Sequence, residues 1–132
     1  MKYTSELIAK YNHALDAVSS FDFQSNSDAP QLQNYSPVIT PSGRILVFGN
    51  VDRHPLLGAK YISTSDLVWF DSSSGFARTV SRWYRLADRA DIQTGDLIST
   101  GRITGFAISD DKHLRNMLDE RARELRELVN TY

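Results

Sequence analysis

Apolar side chains recur at helical spacing at the two ends of the chain and in short β-branched or aromatic runs through its middle. Over residues 4–19, Leu7, Ile8, Tyr11, Leu15 and Val18 share one helical face, and Thr4 or Ser5 stands where a hydroxyl can accept from the free N–H groups of a first turn. An amphipathic helix is predicted there. A second helix is predicted over 110–130, where Asp110 or Asp111 caps a stripe of Leu114, Met117, Leu118, Leu125, Leu128 and Val129, and Asp119 precedes Arg123 by four residues. Arg121 and Ala122 interrupt the stripe, which suits packing on the chain's own sheet better than pairing with a second copy.

Between the helices the pattern changes twice. Residues 19–43 are rich in Ser, Asn and Gln and carry prolines at 30, 37 and 41, so this stretch reads as a polar arm without regular structure, with Phe21, Phe23 and Tyr35 as anchors on its own domain or on a neighbour. Asn34-Tyr35-Ser36 matches the glycosylation acceptor pattern and reads as loop. From 44 to 108 the runs RILVFGNV, AKYIST, DLVWFD, FARTV, RWYRLA, DLIST and RITGFAI read as strands, separated by Gly, Pro, Asp and Ser. DSSSG joins two of them as a hairpin whose glycine supplies a positive φ, and the Gly101/Gly105 pair marks a turn and a close strand approach. The expected fold is one α+β domain: helix, arm, a β core forming a compact antiparallel meander or small open barrel, and a long C-terminal helix.

With a formal charge of −1, bulk attraction to nucleic acid or to an anionic membrane is not expected, which leaves such work to a local basic patch. With no cysteine there is no disulfide, thiolate nucleophile or sulfur-based zinc cluster. No apolar run has signal-peptide or membrane-spanning length, so a cytoplasmic protein is expected. His13, His54 and His113 form no metal spacing; Asp52 with His54 lacks a third ligand, and the acidic residues read as a cap and a solvated helix face. No phosphate-cradling glycine loop is present, and neither an enzyme nor a bound cofactor is expected.

The stretch FARTVSRWYRLADR alternates Arg with aromatic residues, and that pairing suits a nucleotide because guanidinium forks match phosphate oxygens while rings stack on a base. The candidate ligand-binding residues are Arg78, Arg82 and Arg85 for phosphate, and Trp83, Tyr84 or Phe70 for a ring. Eight Lys or Arg stand against six carboxylates between 44 and 102, enough for one small anion but not for a DNA track. Strict alternation puts Phe76, Arg78, Val80, Arg82 and Tyr84 on one face and Ala77, Thr79, Ser81, Trp83 and Arg85 on the other. Ordinary packing, with arginine stems covering rings, explains the same segment equally well.

His54-Pro55, Gly58, Thr64-Ser65, Thr79 and Tyr84-Arg85-Leu86 give the central third a layout that resembles small phage proteins, among them the Thoeris anti-defence proteins. The resemblance implies a signal sponge that binds a cyclic ADP-ribose signal and denies it to a host effector. The chain departs from that layout at Val80, Ser81 and Arg82. The expected function is a non-catalytic binding protein that sequesters an anionic nucleotide-type immune signal, with homo-oligomerisation left open. The alternatives are an inhibitor of a host defence protein acting through the 19–43 arm and β core, or a small nucleic-acid-binding module.

Overall fold

A computed structural model describes residues 4–22, 26–54, 58–100 and 103–131. Helix α1 (Ser5–Ser19) starts where Thr4 Oγ1 accepts from the Leu7 N–H at 3.1 Å, and helix α2 (Asp111–Thr131) starts where Asp110 Oδ1 accepts from Lys112 N–H at 3.0 Å. Between them run β1 (Gln31–Ile39), β2 (Ile45–His54), β3 (Gly58–Ser63), β4 (Leu67–Asp71), β5 (Phe76–Thr79), β6 (Trp83–Leu86), β7 (Leu97–Thr100) and β8 (Ile103–Ala107). The fold is α+β, as the sequence pattern predicts.

The arm expected over 19–43 is corrected, because its second half is the central strand of the sheet. Strand β1 pairs antiparallel with β2 along one edge; on the other edge its first half pairs parallel with β6 and its second half antiparallel with β8. Being covered on both faces from Tyr35 to Val38, it shows no period-two alternation for a sequence reading to find. Asn34-Tyr35-Ser36 is a bulge in this strand and not a loop, with Asn34 at φ 52° and Tyr35 bridging to Arg89. Pro37 is tolerated there: its carbonyl still accepts from the Ile108 N–H at 2.9 Å.

The sheet order is β3-β2-β1-β6-β5-β4, with β8 and then β7 branching from β1. The parallel β1–β6 contact makes the sheet mixed, where the sequence pattern suggests an antiparallel meander or a small open barrel; the other pairings between named strands are antiparallel. The β2–β3 ladder continues one rung past β3, where Thr64 N–H donates to Val47 O at 2.9 Å and Thr64 Oγ1 accepts from Val47 N–H at 3.0 Å. Gly75, at φ 81°, ends the DSSSG hairpin as the sequence implies. At Gly105 a Cβ would lie 2.7 Å from Val38 Cγ1, so β8 approaches β1 more closely than any side chain allows.

Leu114 and Leu118 of α2 enter the main core beside Leu32, Tyr35, Phe70 and Tyr84. Further along, Leu125 meets Ile8, Tyr11 and Ala14 of α1 over Val68, so the stripe from Leu114 to Leu125 packs within its own chain. Ile98 and Ile103 of β7–β8 cover a third cluster of Val38, Leu46 and Phe48.

An ionic clamp fixes the start of α2. Arg89 pairs with Asp111 and donates to Ile108 O at 3.0 Å, Ser72 donates to Asp111 at 2.6 Å, and Arg115 pairs with Asp71 at 2.7 Å. Burial acts to raise the Asp111 carboxyl, but hydrogen bonds from Ser72 and Arg89 outweigh it and hold the group below 3.8; the Ser73 hydroxyl does the same for Asp71. Both folded values lie below the unfolded one, so the stabilisation is complete above about pH 4 and is lost as pH falls through the depressed values. Thermal melts between about pH 6 and pH 2 should therefore show a steeper acid fall for wild type than for Asp111→Asn; parallel curves would dismiss the clamp as a source of acid sensitivity.

Candidate ligand-binding face

Strand register decides which of the Arg and aromatic residues meet. Trp69 on β4 stands opposite Arg78 on β5, and Arg78 stands opposite Trp83 on β6, so indole, guanidinium and indole form one row across three strands. Phe76, two residues from Arg78, shares their face, with its ring centre 6.4 Å from that of Trp83. Phe21, from the segment after α1, closes over this row at 5.8 Å from Trp69, 5.0 Å from Phe76 and 4.8 Å from Trp83.

Arg78 is the unusual member. It is 9% exposed, its Nε is buried without a hydrogen-bond partner, and no acid pairs with it among the described residues. Its guanidinium carbon lies 5.7 Å from the Trp83 ring centre, a cation–π contact that offsets part of the lost hydration. Burial lowers its pKa from the ordinary arginine value, yet a guanidinium still carries its charge at neutral pH.

Of the six residues singled out from sequence, Arg78 and Trp83 lie together in this row, and Arg85 begins the next step of β6 on the same side. Arg85 Nε donates to Ala29 O at 2.7 Å, which ties the chain before β1 to the sheet. Arg82 lies in the turn between β5 and β6, half-buried and without an ion pair among the described residues. Tyr84 and Phe70 require correction: at 4% and 1% exposed they point into the main core, where neither ring can stack on a ligand. The physical reason is the turn. Thr79 Oγ1 accepts from the N–H groups of Ser81 and Arg82, at 3.2 Å each, so the segment is two strands and alternation restarts after 82.

Trp69, Phe76 and Phe21 were absent from the sequence-based set. Counting back from the DSSSG hairpin pairs Asp71 with Phe76, Phe70 with Ala77 and Trp69 with Arg78, and the bulge between Leu67 and Trp69 comes only after these pairs. Phe21 does anchor its segment on its own domain, as expected for the aromatics of that stretch, while Phe23 lies outside the described residues. The Asp52–His54 pair lies partly outside them too. Two open grooves run along α2: one of about 480 Å³ beside Met117 and Arg121, and one of about 360 Å³ that reaches Trp69 from the side of Arg115.

The fold and this face together define a small α+β domain bearing an aromatic surface around a buried cation. By sequence the chain belongs to DUF6634, a family of unknown function, whose model matches residues 5–128. Comparison with curated proteins and with solved structures gives no significant match. Of the elements behind the phage resemblance, Thr64 and Thr79 bond backbone at strand ends and Tyr84 is core, so they serve the sheet; Pro55 lies outside the described residues. No helix among the described residues is long and apolar enough to cross a membrane.

Proposed function

We propose that this chain is a non-catalytic binding protein of the cytoplasm that holds a small anionic, ring-bearing ligand of nucleotide type at the face around Arg78. One observation carries the reading: a guanidinium set in a row between two indoles, whose Nε is buried and has no acceptor. A buried cation is costly unless an anion or acceptor meets it, and a ligand oxygen supplies what the described residues do not. Arg82 and Arg85 stand at the margin for a second anionic group. Sequestration of an immune signal, the role implied by the anti-defence resemblance, is the setting we propose for it.

A second reading rests on a different surface. Leu97 and Phe106 face each other across β7–β8 at 66% and 42% exposed, an apolar pair of the kind that docks on another protein. An inhibitor built on a free 19–43 arm is harder to sustain, because deleting that stretch removes the central strand β1.

The chain has two tryptophans, Trp69 and Trp83, and both lie on the proposed face, so selectively excited tryptophan fluorescence reports on this site. Titration with adenosine monophosphate and with cyclic ADP-ribose should give a saturable change for at least one of them. Arg78→Gln should weaken it by about 10- to 100-fold, the worth of one charge-assisted hydrogen bond. An unresponsive signal across both, together with a flat calorimetric trace, would count against the reading and leave the Leu97–Phe106 surface as the stronger one.

A further inference from the structure

We propose that Phe21 occupies, within its own chain, the place that a ligand ring takes on this face, so that binding displaces it; the proposal rests on the Arg78 face being a binding site. The face has two halves. Its ring half is filled, since Phe21 packs on Trp69, Phe76 and Trp83 at 4.8–5.8 Å between ring centres, tilted by 42° on both indoles and edge-on to Phe76. Its anion half is empty, since the neighbouring Arg78 Nε has no acceptor. Phe21 supplies a ring without a charge, which is half of what the site is built to hold.

The two partners in this contact are held very differently. Trp69, Phe76, Arg78 and Trp83 are placed by the register of three hydrogen-bonded strands. Phe21 belongs to neither a strand nor a helix and is tied locally by its N–H to Val18 O at 3.2 Å, the bond of a helix C-terminus, where opening is easiest. An internal occupant lowers apparent affinity by the fraction of time it fills the site. The ligand class follows from the same geometry: a planar ring carrying an anion, preferred over either part alone.

Adenosine monophosphate, adenosine and inorganic phosphate are titrated into wild type, Phe21→Ala, Phe21→Leu and Arg78→Gln, with tryptophan fluorescence and calorimetry as readouts and circular dichroism to confirm folding. Removing the occupant should tighten adenosine monophosphate about tenfold in Phe21→Ala and by less in Phe21→Leu, with adenosine and phosphate alone binding more weakly than the nucleotide. Where Phe21→Ala does not fold, a tighter Phe21→Leu supports the proposal and an unchanged one overturns it. Binding by wild type that Arg78→Gln abolishes, with Phe21 variants equal or weaker, makes Phe21 part of the wall: the displacement idea falls and the site stands. No binding by any folded form overturns both.

Discussion

Replacing Phe70 by Ala is expected to lower the unfolding free energy by about 3–5 kcal/mol, the usual range for deleting a fully buried aromatic ring. The ring is 1% exposed, packs 6.0 Å from Tyr35 centre to centre, and carries the Arg89 guanidinium 5.8 Å above it. Its loss opens a hole in the main core and removes one of the two aromatic faces that position Arg89, whose pairing with Asp111 fixes α2. Against a total stability of about 5–15 kcal/mol for a domain of this kind, the variant should melt roughly 10–20 °C below wild type or be unfolded at room temperature. A residue that stacks on a ligand behaves otherwise, costing affinity and sparing the fold. A melting temperature within about 3 °C of wild type combined with lost nucleotide binding would return Phe70 to the site and contradict the placement of its ring.

Phe70 also shows where the sequence is informative and where it is not. Both helices and every strand from β2 to β8 follow from spacing and residue type, because each has one solvated side or a flanking turn that marks its limits. Strand β1 does not. It is polar in Gln31, Gln33, Asn34 and Ser36, bulged at Asn34 and interrupted by Pro37, and it becomes a strand because three neighbours supply its hydrogen bonds. Tertiary pairing overrides local propensity there, and the same long-range pairing turns a run of separate antiparallel strands into a mixed sheet.

The candidate site was legible in kind and not in membership. Arg beside aromatic residues in FARTVSRWYRL is a local signal, and it drew attention to Arg78 and Trp83. Facing, however, depends on where one strand ends: with the turn at Thr79–Arg82 unplaced, Tyr84 falls on the wrong side and Trp83 is separated from Arg78. Trp69 and Phe21 reach the row from other parts of the chain, across a hairpin and from the end of α1, and only pairing in space brings them there. Nothing local distinguishes a cation that lacks a partner from one that has found it, which is why Arg78 and the clamped Arg89 look alike in sequence.

Arg78→Met should make the protein more stable and unable to bind. Burying the charged Nε donor without an acceptor costs about 1–3 kcal/mol or somewhat more, whereas the contact with Trp83 returns about 0.5–2, so the balance at this position is unfavourable in the unliganded protein. Methionine keeps an unbranched chain of similar reach between the indoles, leaves no donor unsatisfied, and should raise stability by about 1–3 kcal/mol. Arg78→Lys retains the charge and should show no such gain. Urea unfolding of the three proteins reads the first half of the expectation, and melting with and without nucleotide reads the second, since a ligand stabilises only a form that binds it. A less stable Arg78→Met would mean that the cation is held for its contact with the rings, as a structural bolt. A more stable one that no longer responds to nucleotide would show a position whose residue is set by what arrives from outside the chain, at the expense of the fold that presents it.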